Sequence, residues 1–191
     1  MLKDYAESPY NQVRRADRAV TDEVWIKEFL HSAAIGMLAT VIDGQPFINS
    51  NLFVYDEQVN VIYTHTARLG RTRSNIEAGE RVCFSISDMG RLLPAEEALE
   101  FSVEYSGVVI FGTATVVTNE TEAEYGLQLL LDKYFPHLKP GEHYRAITPE
   151  ELKRTSVYRI NIEQWSGKKK KVDDDFPGAF FYGQPPDAAN F

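Results

Sequence analysis

The chain has 191 residues, of which 43% are hydrophobic and 25% charged, a balance that fits one folded domain and excludes a largely disordered chain. Its 20 Lys and Arg residues against 28 Asp and Glu give a net charge of −8, which argues against a general nucleic-acid-binding surface. A single cysteine, together with the absence of any apolar run near ~20 residues or of a signal core, predicts a cytoplasmic protein without disulfides or membrane contact.

The N-terminal region predicts an arm followed by a helix. Residues 1–19 show little periodicity and are interpreted as the arm. Thr21 is the predicted N-cap, and Gly36 ends the helix. Its apolar face recurs at helical spacing and is interpreted as core; the residues are Trp25, Ile26, Phe29, Leu30 and Ala33.

A β-hairpin comes next. Met37–Ile42 and Gln45–Tyr55 are the predicted strands, and Asp43-Gly44 between them is a strong two-residue turn signal. The second strand carries three polar residues in its middle, Asn49, Ser50 and Asn51. Such side chains either face solvent or pair with the polar atoms of a ligand, and the strand pattern leaves both possibilities open.

A basic helix start follows the next strand, which begins at Val59 and ends at Thr64-His65-Thr66. Arg68, Arg71 and Arg73 come within about one and a half turns, and the first acidic residue after them is Glu77. Free N–H groups of a first helical turn and arginine guanidinium groups both favour phosphate, so the segment predicts an anion site. The alternative is three exposed arginines on a surface helix of an acidic protein. Two features favour the anion site: the cluster lies where a strand leads into a helix, and it is flanked by hydroxyls and not by glutamates at helical spacing.

The second half predicts two more long strands and two helices. Arg81–Ser87 is a strand, residues 88–100 are a loop, and Phe101–Val117 is a strand interrupted by Gly107 and Gly112. A glycine within a strand marks either close approach of another group, such as a ligand or a partner subunit, or a sharply coiled strand.

Two capped helices and a last strand complete the chain. Asn119 begins a helix over Glu120–Phe135, and Thr148-Pro149 begins a short one. The last strand starts at Val157 and ends at Trp165-Ser166-Gly167. The four lysines that follow are interpreted as a solvated charge run, and the tail from Asp173 is either loose or strapped onto a partner subunit.

Three segments resemble the pyridoxamine 5′-phosphate oxidase-like split-barrel family. They are Tyr63-Thr64-His65 with Gly70-Arg71, the strand Tyr105–Ala114, and Trp165-Ser166-Gly167-Lys168. The likeness covers roughly residues 20–168 and is greatest to the 5-nitroimidazole-resistance branch. It implies a mainly β fold with flanking helices, a homodimeric FMN-binding split barrel. The domain would span residues 20–168, and residues 169–191 would form the tail.

The resemblance also implies the site. Flavin contacts are expected from Asn49, Ser50, Asn51, Thr64, His65, Thr66, Arg68, Gly70, Arg71, Thr72, Arg73, Trp165 and Lys168. Thr72 stands where the family often has a second basic residue, which leaves open whether Arg71 or Arg73 is the main phosphate contact. His65 is either a proton donor beside the ring or a satisfied residue at a strand end. The histidines show no metal-ligand spacing, so no metal is expected.

Two functions follow from the resemblance. The first is an FMN-dependent oxidoreductase that passes electrons from a reduced nicotinamide or flavin to a small conjugated or nitroaromatic acceptor. The second is a flavin or haem carrier of the same fold without turnover, and a deazaflavin enzyme remains a further alternative. A true pyridoxamine 5′-phosphate oxidase is disfavoured because its Arg-x-x-x-Arg substrate residues are not found around Trp165.

Overall fold

The computed structural model describes residues 7–185, which fold into a β-rich domain with four α-helices. The strands are β1 Ala19–Val20, β2 Gly36–Ile42, β3 Gln45–Asn51, β4 Phe53–Asp56, β5 Val61–Ala67, β6 Arg81–Leu93, β7 Ser102–Val116 and β8 Thr155–Lys170. The helices are α1 Glu23–Ser32, α2 Arg71–Ala78, α3 Glu120–Tyr134 and α4 Pro149–Leu152. Within the described range, no helix is both long enough and apolar enough to cross a membrane.

One antiparallel sheet contains all of these strands. Their order is β3-β2-β6-β7-β8-β5-β4, and β1 pairs with the C-terminal end of β8. β3 and β4 lie at opposite ends of this path, yet only Leu52 separates them in the chain, so the sheet must coil back on itself. This confirms the prediction of a split β-barrel with flanking helices.

Two hydrophobic clusters fill the fold. The larger lies between the coiled sheet and α1, and includes Ile26, Leu30, Phe53, Phe84, Ile110 and Tyr158. The smaller lies between α3 and strands β4, β5 and β8, and includes Val54, Tyr63, Ala123, Leu130 and Val157. α1 and α3 therefore act as the two covers of the barrel, as their apolar stripes predict.

The N-terminal cap of α1 differs from the prediction. Asp22, not Thr21, is the N-cap: its Oδ1 accepts a hydrogen bond of 2.9 Å from the backbone N–H of Val24. An ionised carboxylate also interacts favourably with the positive end of the helix dipole, which a threonine hydroxyl cannot do.

The hairpin turn is confirmed, but the strands beyond it differ from the prediction. Asp43 and Gly44 both have positive φ, 51° and 75°, as a two-residue type I′ turn requires. The predicted strand Gln45–Tyr55 is wrong as one element, because it breaks at Leu52, where the chain stops pairing with β2 and begins pairing with β5. The next strand begins at Val61, not at the predicted Val59.

The C-terminal strands are longer than predicted. β6 continues to Leu93, beyond the expected end at Ser87, and β8 continues through Lys170. The first two residues of the lysine run, Lys168 and Lys169, belong to β8 and are half-buried. Lys168 Nζ lies 5.2 Å from the centre of the Tyr105 ring, and Lys169 Nζ lies 5.4 Å from that of Trp25. The aliphatic stems can cover apolar surface while the ammonium groups stay hydrated.

A buried ion pair fixes the segment after β8. Arg91 Nη2 lies 2.9 Å from Glu104 Oε1, and the two side chains are 13% and 9% exposed. The Arg91 guanidinium also donates to the backbone carbonyls of Val172, Asp173 and Asp174, while Glu104 accepts from the N–H of Val172. The tail therefore lies across the β6–β7 hairpin of its own chain over residues 172–174.

Replacing Arg91 should release this segment. We expect Arg91→Met to accelerate chymotryptic cleavage after Phe176 and Phe180 at least tenfold, because three carbonyls lose their donor at once. Mass spectrometry of the fragments measures this. Lys171→Met, which removes an exposed partner of Asp174, is the matched control and should cleave as the parent does. Unchanged cleavage in Arg91→Met would show that other contacts hold the tail.

Acid should act on the same pair. The hydrogen bond from Arg91, more than any other interaction, lowers the pKa of Glu104 to about 2. A carboxylate with a depressed pKa stabilises the folded state above its ordinary pKa of 4.5, and that contribution is lost as pH falls from 4.5 towards 2. Faster cleavage by an acid-active protease over that window is therefore expected in the parent protein, with a smaller change in Arg91→Met.

Candidate functional site

The N-terminus of α2 is open. Gly70 is the N-cap and provides no side-chain hydrogen bond, and the first turn contains no acidic residue. A Cβ atom placed on Gly70 would meet no atom within 4 Å, so there is free space in front of the helix. The unsatisfied N–H groups of the first turn and the helix dipole together favour an anion in that space.

Arg71 is the first residue of α2 and is exposed. Its side chain makes no ion pair or hydrogen bond with any residue between 7 and 185. A cation at this end of a helix opposes the dipole and costs roughly 0.3–1 kcal/mol, so its position does not serve the stability of α2. The guanidinium remains available for a ligand.

The other two arginines are partly used within the chain. Arg68 Nη1 donates to the carbonyl of Lys153 at 3.1 Å. Arg73 Nε donates to Glu77 at 2.8 Å, and its Nη1 donates to Ser156 Oγ at 3.0 Å. The expectation that no glutamate at helical spacing flanks the arginines is therefore wrong for Arg73. Glu77 lies four residues later on the same helix face, which is ion-pair spacing.

Two polar contacts hold α2 against the hairpin. Asn49 Nδ2 donates to Thr72 Oγ1 at 3.1 Å, and Asn75 Nδ2 donates to Thr40 Oγ1 at 2.8 Å. Thr72 and Asn75 are both buried. The contribution of Asn75 was missed by the sequence reasoning, although its position three residues after Thr72 places both on one helix face. These contacts fix where the open end of the helix points.

The remaining predicted residues of this region divide by exposure. Ser50 is exposed on β3, whereas Asn51 has a buried Nδ2 without a hydrogen-bond partner in the described chain. Thr64 is fully buried and donates to the carbonyl of Leu52 at 2.8 Å, while Thr66 Oγ1 lies 2.7 Å from the Tyr158 hydroxyl. The hydroxyl of Thr64 thus already has a partner within the chain, and its contact with a cofactor stays a prediction.

His65 borders a separate cavity of about 420 Å³. The cavity lies between β5, α3 and the chain before α4, and its lining is mostly apolar: Leu52, Leu127, Leu130, Leu131, Tyr134, Phe135 and Ile147, with Tyr144, Arg145 and Glu151 adding polar groups. The Nδ1 atom of His65 is buried without a partner among residues 7–185. Burial lowers the pKa of His65, so the imidazole is neutral at pH 7 and can bind through a nitrogen lone pair.

Trp165 and Lys168 lie away from the open helix end. Both are on the C-terminal half of β8, whereas Ser156, which contacts Arg73, is at its start. At about 3.3 Å per residue, Ser156 and Trp165 are roughly 30 Å apart along the strand. Trp165 packs against the core and borders a polar cavity with Glu23, Lys27 and Tyr55. A single chain therefore does not bring the predicted site residues together; the group at α2 and the group at β8 are separate.

Comparisons with known proteins agree with this architecture. Residues 22–169 match the sequence model of the family described as pyridoxamine 5′-phosphate oxidase. Among curated proteins, none matches the chain. Similar solved structures include the flavocytochrome Anf3 from Azotobacter vinelandii, with 22% identity, a TM-score of 0.74 and coverage of 96% of this chain and 91% of that one.

Two further structures are similar. An FAD and haem binding protein from Mycobacterium smegmatis has 22% identity and a TM-score of 0.73, over 82% of this chain and 76% of that one. A protein from Bacteroides thetaiotaomicron, provisionally named a 5-nitroimidazole antibiotic resistance protein, has 14% identity and a TM-score of 0.65, over 79% and 86%. At these identities the likeness establishes the fold, while the sequence match over 22–169 establishes the family. The chain belongs to the pyridoxamine 5′-phosphate oxidase family.

Proposed function

We propose that the protein binds flavin mononucleotide, with the phosphate at the open N-terminus of α2. The observation that carries this proposal is Arg71, an exposed cation without a partner in the described chain, placed where it opposes the helix dipole. A phosphate dianion would compensate both the dipole and the arginine charge. Arg68 has further guanidinium donors beyond its contact with Lys153, so it can complete the anion site.

A bound flavin would supply two-electron chemistry on its ring, and the protein would supply position and charge. The neutral imidazole of His65 can accept or return a proton at Nδ1, the atom that has no partner within residues 7–185. We infer an oxidoreductase that takes electrons from a reduced nicotinamide or flavin and reduces a small conjugated or nitroaromatic acceptor. We place the protein in the cytoplasm, because the chain is acidic and has a single cysteine, which cannot form a disulfide within the chain.

The active form is proposed to be a homodimer. The groups at α2 and at β8 lie beside opposite parts of β8, with about 30 Å of strand between Ser156 and Trp165, so one FMN molecule is not expected to touch both within one chain. A second copy can bring its own Trp165 and Lys168 to the α2 end of the first. Trp165 would then provide an apolar wall and Lys168 a positive charge near the ring.

The visible spectrum of the purified protein tests the cofactor, and bleaching tests the activity. A flavin spectrum that NADH or NADPH bleaches, and that an added nitroaromatic or quinone restores, is expected. A colourless protein that does not take up FMN at micromolar concentration would refute flavin binding. A flavin spectrum unchanged by either nicotinamide would support a carrier or a different electron donor.

The second candidate is a haem-binding carrier, and the cavity beside His65 favours it. A neutral imidazole is a common axial ligand of haem iron. Arg145 in the same lining pairs with Glu151 through two hydrogen bonds of 3.0 Å, and its remaining N–H groups could bind a propionate. The similar structures named above include a flavocytochrome and an FAD and haem binding protein. If haem binds here, His65→Ala should abolish the shift and sharpening of the Soret band that the parent protein causes on haem addition, while FMN retention changes less than threefold. The same shift in the variant would remove His65 as the ligand.

A further inference from the structure

A second positively charged cluster lies at the opposite end of β8 from Ser156. In the sheet, Lys168 is paired with Ala19 of β1 on one side and with Gly107 of β7 on the other. Directly opposed residues of an antiparallel pair project to the same face. Both of these direct neighbours of Lys168 are small, so neither covers the lysine with a side chain of its own.

Arg18 and Tyr105 surround the same place. Arg18 Nη1 lies 3.4 Å from the Tyr105 hydroxyl, and Lys168 Nζ lies 5.2 Å from the centre of the Tyr105 ring. Burial alone would raise the pKa of Tyr105, but the hydrogen bond from Arg18 and the positive charges of Lys168 and Arg18 together lower it below its usual value. The hydroxyl therefore lies in a positive local field in a protein whose net charge is −8.

The nearby carboxylate does not neutralise this field. Asp17 is held by Arg15 through two hydrogen bonds of 2.8 and 2.6 Å, and its closest approach to Arg18 is 3.7 Å. Lys168 makes no ion pair within the part of the chain that the structure describes. The local charge is therefore positive, because three cations, Arg15, Arg18 and Lys168, are accompanied by one carboxylate, Asp17.

Gly107 has no packing reason to be glycine. A Cβ atom added there would meet only ordinary contacts, the Ile86 carbonyl at 3.5 Å and Ser87 Cβ at 4.0 Å. A larger side chain would, however, project over the face beside Lys168. The absence of a side chain keeps the approach to Lys168 and Tyr105 open.

We propose that Arg18, Tyr105 and Lys168 form a second anion site, which binds the phosphate of an adenosine nucleotide. A guanidinium fork, an ammonium group and a hydroxyl together provide donors for several oxygens of one tetrahedral phosphate. FAD and the reduced nicotinamide dinucleotides both carry an adenosine phosphate, so either can be the source. The site goes beyond the FMN phosphate site at α2 and does not require flavin to be bound there. It assigns Lys168 to a nucleotide phosphate in place of the flavin-ring contact proposed above for the homodimer, which leaves Trp165 as the residue that would border the ring.

Calorimetric titration of the purified full chain with AMP tests the site. AMP should bind the parent, adenosine should not, and Arg18→Gln should weaken AMP binding at least tenfold. Lys171→Gln, which removes an exposed lysine from the same run, is the control and should bind AMP as the parent does. Absent AMP binding, or equal affinity in Arg18→Gln, would overturn the proposal.

A second readout reports on the site directly. In NMR spectra of ring-labelled tyrosine, the resonance lost in Tyr105→Phe identifies Tyr105, and its pKa should rise when AMP neutralises the cations. Weaker FAD binding by Arg18→Gln with unchanged FMN binding would identify the flavin as the source, and a raised KM for NADPH alone would identify the electron donor. AMP binding by a protein that binds no flavin would leave this site standing and refute only the proposed function.

Discussion

Arg71→Ala should raise the Kd for FMN by about 10- to 100-fold. A hydrogen bond to a charged group contributes about 1.5–3 kcal/mol, and each 1.4 kcal/mol is about a factor of ten in affinity. The fold should not suffer, because removing a cation from the first turn of α2 relieves an unfavourable interaction with the dipole. Flavin fluorescence titration gives the affinity, and thermal unfolding of the apoprotein gives the stability.

Two matched arginine variants make this result specific. Arg81→Ala removes an exposed arginine beyond the other end of α2, with the same change of net charge, and should leave the Kd within about threefold. Arg73→Ala should weaken binding less than Arg71→Ala, because Arg73 is already engaged by Glu77 and Ser156. A larger loss in Arg73→Ala than in Arg71→Ala would move the phosphate to Arg73.

Short-range sequence patterns were sufficient to predict the turns and helix caps, because these are stabilised by residues close together in the chain. The Asp43-Gly44 turn and the cap of α3 at Asn119 depend on residues within four positions of each other, and both are confirmed. The capping box of α4, formed by Thr148 and Glu151, is equally local. Signals of this kind need no tertiary information.

The misplaced strand ends have a tertiary cause. The chain breaks at Leu52 because β4 leaves the side of β2 and pairs with β5, and no residue near Leu52 signals this change of partner. β6 continues beyond Ser87 because Leu92 and Leu93 pair with Val103 and Ser102 of β7. The polar residues between Ser87 and Leu92 interrupt the apolar pattern, so the sequence alone does not predict this extension.

The candidate site was predictable as a set of residue types and not as a geometry. The arginines at the start of α2 were found, and the engagement of Arg73 by Glu77 could have been read from their four-residue spacing. The unpartnered Nδ1 of His65 depends on α3 and on the chain before α4, and the burial of Thr64 depends on the barrel interior, which Thr64 faces together with Ile62; all of these are distant in sequence. The role of Arg18 beside Tyr105 likewise required the pairing of β1 with β8.

Gly112→Ala is expected to destabilise the fold by about 3 kcal/mol or more, at the upper end of overpacking effects. A Cβ atom on Gly112 would lie 1.9 Å from the backbone carbonyl oxygen of Asn161 and 3.4 Å from the backbone N of Glu163. The register of β7 with β8 is irregular here, since Phe111 pairs with Gln164 and Gly112 with Ile162. The close neighbour is therefore the β8 backbone, which cannot rotate away as a side chain could.

The control for this change is the other glycine of the same strand. Gly107→Ala meets only ordinary contacts and should change the free energy of unfolding by less than about 0.5 kcal/mol. Urea unfolding should show a midpoint about 1 M lower or more for Gly112→Ala at an unchanged slope, and an unchanged midpoint for Gly107→Ala. Equal midpoints in the two variants would mean that β7 and β8 separate at this irregularity without cost. Glycine at position 112 would then be required by something other than the β8 backbone, such as a bound ligand or a second chain.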